Sequence, residues 1–292
     1  MRNCPLAAFG VDYPAWRVFM DNVFERCREE GRVLVFGHRG YSQLYPENTM
    51  VSFDNCAKHP NVDGVELDVH LCRTGEVVVA HDFSLKRTAG IDREIEELSW
   101  DELRAIDVGS FKGEGFSDAR IPLLEELLGT YGSRFVYDIE LKVKAGKVNP
   151  ELCRRTLDVI RRCNVEDSVL VSSFNPFALR RFGSICRRRI PRADIFCHAQ
   201  DVPRILWDGA GHIVSRSSYL KPEYKQVDAA YLDKVHGRPV VCWTVNSSED
   251  ARRLLSLNEG GKGMRVYGLI GNDPCLLADA VEAHGNESLK GR

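Results

Sequence analysis

The feature that most limits what this chain can fold into is a repeated unit: a short apolar strand, a polar loop, and a helix with an explicit start signal. The strand segments fall at 33–37, 63–69, 135–141, 169–173, 193–197, 212–215, 240–245 and 266–270, the sixth being the weakest. Several of the intervening helices announce their starts. Asn175-Pro176 sets an N-cap before proline at the first helical position, and Asp273-Pro274 precedes a helix over 276–283. Ser247 and Asp250 are spaced as a capping box ahead of 251–255. Parallel strands need a crossover between them, so strands alternating with capped helices predict βαβ units. Eight such units predict a closed (β/α)₈ barrel. With 292 residues, 43% of them hydrophobic, the chain can be a single barrel domain over 1–292.

Two segments stand outside the repeat. Residues 13–30 carry Trp16, Phe19, Met20, Val23, Phe24 and Cys27 at helical spacing, so an N-terminal extension over 1–30 is expected to close the bottom of the barrel. Residues 83–120 form an insertion between the second and third strands, with a capping box at Ser99 and Glu102. Long ordered insertions at this end of a barrel shape the substrate pocket, so this one is expected over the active site.

The net charge of −2 offers no basic field for nucleic acid or an anionic membrane. Arg187-Arg188-Arg189, with Arg180, Arg181 and Arg192 nearby, reads as a solvated helix end. The ten cysteines lack C-x-x-C pairing, and several sit in apolar runs, as in Ile195-Phe196-Cys197, which suits reduced intracellular thiols. The N-terminus lacks the h-region of a signal peptide, and no apolar run approaches the ~20 residues of a membrane span. A soluble, cytoplasmic protein with no stable membrane insertion is expected.

Charge on the strands points to chemistry. Strand side chains alternate, so Glu66 and Asp68 share a side, as do Glu140 and Lys142. Barrel strands are normally apolar on both faces, so charges at i and i+2 on two of them need counter-ions. An ion-pair cluster plugging the mouth is one account. Three carboxylates against Lys142 alone favour a divalent cation, and oxygen donors select Mg²⁺ or Ca²⁺. Arg39 and Lys142 suit a phosphate, one as a fork of donors and the other as a point charge. Arg39 can equally bridge Glu47 or Asp68. Glu47 and Asn48 read either as a brace before the helix over 49–57 or as groups beside the metal. Phe174, Trp243, Phe111 and Phe116 are candidate pocket walls, with core packing as their alternative. Of eight histidines, His59, His198, His236 and His284 read as structural.

Five strings occur in order: His38-Arg39-Gly40, Pro46-Glu47-Asn48-Thr49, Glu66-Leu67-Asp68, His81-Asp82 and Glu140-Leu141-Lys142. In this order and spacing the chain resembles the glycerophosphodiester phosphodiesterase family, from about residue 35 to residue 274. The resemblance implies a TIM barrel that hydrolyses glycerophosphodiesters to sn-glycerol 3-phosphate and an alcohol. It implies His38 and His81 as the acid/base pair, and Glu66, Asp68 and Glu140 as metal ligands. Arg39 and Lys142 would hold the phosphate, and Glu47, Phe174 and Trp243 would complete the substrate site. The nucleophile is either water or the substrate's own glycerol hydroxyl. A lysophospholipase D or phospholipase C acting on lipid is the alternative within catalysis, and a non-catalytic phosphodiester-binding barrel the alternative outside it. Two stretches depart from the family. Ile270-Gly271-Asn272-Asp273-Pro274 replaces I-T-D-x-P, a change expected to affect the pocket floor or loop packing without touching the chemical set. Residues 198–238 match loosely.

Overall fold

Hydrogen bonding between strands closes the repeat into a ring. The computed structural model describes residues 22–200, 202–259 and 263–290. Its strands are β1 (Leu34–His38), β2 (Gly64–Leu71), β3 (Val77–Val79), β4 (Val136–Leu141), β5 (Val169–Ser173), β6 (Arg192–Phe196), β7 (Tyr219–Pro222), β8 (Val240–Cys242) and β9 (Val266–Gly271). All but β3 run parallel, in the order β1-β9-β8-β7-β6-β5-β4-β2, and β1 pairs with β2 to complete the circle. This is the (β/α)₈ barrel. β3 folds back antiparallel on the far end of β2, pairing Val69 with Val79 and Leu71 with Val77. That hairpin, which the strand pattern does not reveal, carries the chain out of the barrel into the insertion.

The helix starts follow their side chains. Asn175 Oδ1 accepts from the backbone of Phe177 and Ala178 ahead of Pro176–Ile185. Ser247 caps Ser248–Ser256, and Asp273 accepts from Leu276 N in the first turn of Pro274–Lys290. The Ser99–Glu102 box forms in both directions. Arg187–Arg189 lie exposed in the turn after Pro176–Ile185, as a solvated helix end requires.

One of the eight strands lies elsewhere than predicted. Residues 212–215 belong to the helix Gly211–Ser215, and the sixth barrel strand is β7, Tyr219–Pro222. The apolar pair Ile213-Val214 favours a strand locally, yet Ile213 points to solvent at 71% exposure. Packing of this helix on β6 overrides the local preference. The true strand was obscured by the charge of Lys221 and the proline that ends it.

Inside the barrel, Leu34, Phe36, Val136, Leu170, Ala193, Tyr219, Val241 and Ile270 form an apolar plug. The helix Val23–Glu29 closes its floor: Phe24 stacks on Phe36 at 6.0 Å and meets Tyr219 edge-on at 5.9 Å. The expected helical positions at 13–21 lie outside the described residues. The insertion has its own apolar cluster, built on Leu85, Ile95, Leu98, Leu103 and Val108. Of the nine cysteines among the described residues, seven are buried. No helix among those residues is long and apolar enough to cross a membrane.

Candidate active site

Above the plug the barrel interior turns from apolar to charged. The register sets His38 opposite Glu66, Glu66 opposite Asp138, Asp68 opposite Glu140, and Glu140 opposite Ser172. Inward-facing positions of β1, β2, β4 and β5 therefore meet at the C-terminal end, where barrel sites are built. Glu66, Asp68 and Glu140 are all buried, and one carboxylate oxygen of each lies within 4.8 Å of the others. Asp68 Oδ1 accepts no hydrogen bond and has Lys142 Nζ at 3.4 Å. Burial pushes the Glu66 and Glu140 carboxyls up, opposed by Lys221 and Lys142 respectively. Burial would raise Asp68 too, but Lys142, His81, Arg39 and the Asn48 amide together hold it below the carboxylate range. Crowded acids with an unsatisfied oxygen are the donor set a hard divalent cation fits.

Each residue of the short strings has a mechanical reason to be there. Gly40 has φ +82°, and a Cβ there would lie 2.3 Å from Ser52 Oγ, so only glycine lets the loop turn after His38. Arg39 and Asn48 both adopt the left-handed region, joined by Asn48 N donating to Arg39 O at 2.9 Å. Asn48 Nδ2 donates to Asp68 Oδ2 at 2.8 Å, and Thr49 Oγ1 to Pro46 O at 2.6 Å. Glu47 accepts from Arg39 Nη1 at 2.8 Å, while Arg39 Nε lies 3.5 Å from Asp68. Glu47 thus lies outside the carboxylate cluster, linked to it through Arg39.

Both histidines have Nδ1 engaged, and His38 Nε2 lies 3.9 Å from Glu66 Oε2. His38 Nδ1 lies 2.7 Å from Asn272 Oδ1, and His81 Nδ1 lies 2.6 Å from Asp82 Oδ1. Acceptors at Nδ1 place the proton there and leave Nε2 as the working nitrogen. Burial, with Arg39 adding to it, pulls His38 down to about 4, so its ring is neutral at ordinary pH. The contact with Asn272 corrects an expectation: the departure at residues 270–274 does reach the chemical set, because β9 ends beside β1 and delivers Asn272 onto His38. His70 is buried against Phe83 and points Nε2 at the His81 carbonyl, a supporting place.

Lys142 follows β4 and pairs with Glu140 at 2.9 Å. Phe174 and Trp243 meet edge-to-face at 5.7 Å, and Trp243 Nε1 donates to the Lys221 carbonyl at 2.9 Å. Phe111 is 42% exposed, and Phe116 packs on Tyr45.

Three charged residues escaped the sequence reading. Lys221 on β7, 2% exposed, holds Asp138 at 2.8 Å and Glu66 at 3.3 Å, and donates to Ser172 Oγ at 3.2 Å. Asp138 also accepts from Ser172 at 2.6 Å. Its signal was present, since it shares the parity of Glu140. Arg87, from the insertion, reaches both Glu47 and Asp82.

The model of the glycerophosphoryl diester phosphodiesterase family matches residues 38–263. A glycerophosphodiester phosphodiesterase of Caldanaerobacter subterraneus subsp. tengcongensis is 31% identical over 258 residues, covering 87% of this chain and all of that protein. One from Bacillus altitudinis is 32% identical over 244 residues, covering 78% and 92%. Among solved structures, an Oleispira antarctica phosphodiesterase in complex with the product sn-glycerol-3-phosphate superposes with a TM-score of 0.73 at 26% identity, covering 85% and 96%. The match runs through the residues gathered at the barrel mouth and on across the later strands, and the chain belongs to the glycerophosphoryl diester phosphodiesterase family.

Proposed function

We propose that this protein is a metal-dependent phosphodiesterase that hydrolyses small glycerophosphodiesters to sn-glycerol 3-phosphate and an alcohol. The observation that carries this reading is convergence: two histidines, each with Nδ1 engaged, join three buried carboxylates and two cationic side chains at one end of the barrel. The product bound to the Oleispira relative supports the same substrate class. Glu66, Asp68 and Glu140 would hold the cation, and their oxygen-only chemistry suits Mg²⁺ or Ca²⁺. Bound there, the ion supplies Lewis-acid stabilisation of charge on the phosphoryl oxygens.

The chain's own residues do the rest. Arg39 and Lys142 bind the phosphate, each leaning on a carboxylate that keeps it charged and oriented. One imidazole takes the proton of the attacking oxygen as that oxygen bonds to phosphorus; the attacker is water, or the substrate's glycerol hydroxyl giving a cyclic phosphate that water then opens to glycerol phosphate. The bond from phosphorus to the leaving alcohol breaks, and the other histidine, as imidazolium, gives its proton to the departing oxygen. Phe174 and Trp243 form an aromatic wall for the alcohol. The whole chain acts as one barrel domain, with its insertion flanking the mouth. The burial of most of the cysteines in apolar surroundings supports a cytoplasmic location.

The test is release of glycerol phosphate from glycerophosphocholine and related soluble diesters, with Mg²⁺ or Ca²⁺, beside micellar lysophospholipids. Turnover of the soluble diesters is expected. Activity on micellar lipid alone would assign the lipid reaction instead, and inactivity with every divalent ion would leave only a binding barrel.

A further inference from the structure

Arg87 lies in the short helix Lys86–Ala89 of the insertion, outside every motif of the sequence. Its guanidinium is engaged at all three nitrogens. Nη1 and Nη2 grip Glu47 Oε2 and Oε1 at 2.8 and 2.7 Å, and Nε donates to Asp82 Oδ2 at 2.7 Å. The same carboxylates continue inward: Glu47 Oε1 takes Arg39 at 2.8 Å, and Asp82 Oδ1 holds His81 at 2.6 Å. An unbroken chain Arg39–Glu47–Arg87–Asp82–His81 thus joins a phosphate-binding cation to an acid/base imidazole.

The Arg87 side chain is 45% exposed, and exposed ion pairs contribute little to stability. What the arrangement does contribute is orientation. A planar fork fixes a carboxylate's direction as a point charge does not. Asp82 is otherwise a surface side chain at 31% exposure, free to rotate away from His81.

We propose that Arg87 is a positioning residue for the reaction: it locks Asp82 in the rotamer that accepts from His81 Nδ1, so that Nε2 faces the substrate. This rests on the reading of His81 as an acid/base group. The insertion then does more than flank the mouth, because it completes one catalytic side chain's support.

The experiment compares Arg87→Ala, Arg87→Lys and Asp82→Asn, each also in a His81→Ala background, with glycerophosphocholine as substrate. Loss of an outer support of this kind typically costs about 10- to 100-fold. Arg87→Ala is expected to lower kcat within that range while KM moves less than about threefold, the signature of an interaction needed in the transition state. Arg87→Lys should recover only part of the loss, because lysine cannot grip both carboxylates. In the His81→Ala background the Arg87 substitution should cost nothing more, since no ring remains to be positioned. A folded Arg87→Ala with full kcat, a loss confined to KM, or an equal loss without His81 would each overturn the proposal. If Arg87→Ala does not fold, Asp82→Asn with unchanged kcat overturns it. A wild-type protein inactive on every diester would instead refute the functional reading beneath it.

Discussion

Two buried aspartates on barrel strands show how position decides what a charge is for. Asp68 and Asp194 are 0% and 2% exposed. Asp68 faces the barrel interior among Lys142, Arg39 and Asn48, and those partners hold its carboxyl below the ordinary range. Asp194 faces outward from β6 toward the helix Gly211–Ser215, where a Cβ at Gly211 would lie 2.5 Å from its Oδ2. Its Oδ1 accepts no hydrogen bond, and burial alone pushes its carboxyl up to about 8. Equal burial thus gives opposite outcomes. Desolvation raises both carboxyls, and only where cations and donors surround the oxygens is the charged form recovered. A site that must present negative charge to a metal needs that surrounding cage; a carboxyl behind the sheet simply keeps its proton.

The comparison can be broken most severely at the mouth. His38→Ala and His81→Ala should each lower turnover of a soluble diester by at least ~10²–10⁴-fold, with much less than additive loss in the double variant. A nitrophenyl diester, whose leaving group needs no proton, should rescue only the variant lacking the general acid. Near-wild-type kcat in either single variant would remove the two-histidine mechanism. Next, Glu66→Gln or Glu140→Gln should abolish Mg²⁺ and Ca²⁺ binding in calorimetry with the circular dichroism spectrum unchanged. Unaltered affinity in both would show the ion sits elsewhere.

Two stability measurements sharpen the contrast. Lys221→Met strips Asp138 and Glu66 of their shared cation, and breaking a buried pair in this way costs about 3–5 kcal/mol. Urea unfolding without added metal should show that loss at pH 7. A change under about 1 kcal/mol would mean the pair is not what holds the interior carboxylates. Asp194→Asn should act with the opposite sign. A carboxyl with a folded value near 8 and an ordinary unfolded value keeps its proton when folded, so its stabilisation is full below about pH 4 and is lost as pH rises from there through 8. Relative to wild type, the Asp194→Asn variant should therefore gain stability between about pH 5 and 8, on the order of a few kcal/mol at about 1.4 per unit. Parallel unfolding midpoints across that range would show Asp194 to be ionised and paired.

Much of this was legible in the residues. Alternation identified Glu66 with Asp68 and Glu140 with Lys142, and the helix caps located the crossovers. Asp138 was legible by the same parity rule, since Asp138, Glu140 and Lys142 alternate along one strand. Lys221 was harder: its strand is four residues long, carries a charge and ends in proline, while a neighbouring β-branched pair mimicked a strand. Asn272 and Arg87 were illegible for another reason. Each acts on a residue far away in the chain, His38 and Glu47 respectively, through contacts that no local pattern encodes.

By itself the sequence determined the class of fold and the faces of the strands, because strand periodicity and helix capping act over a few neighbouring residues. Which charges would share a site was decided only when the barrel closed. Closure brings β1 beside both β2 and β9 and sets Lys221 against Glu66 across 155 residues. It also leaves Asp194 outside the ring while Asp68 is drawn in. Electrostatic partnership depends on separations of a few ångströms and on local desolvation, and both are properties of the packed chain.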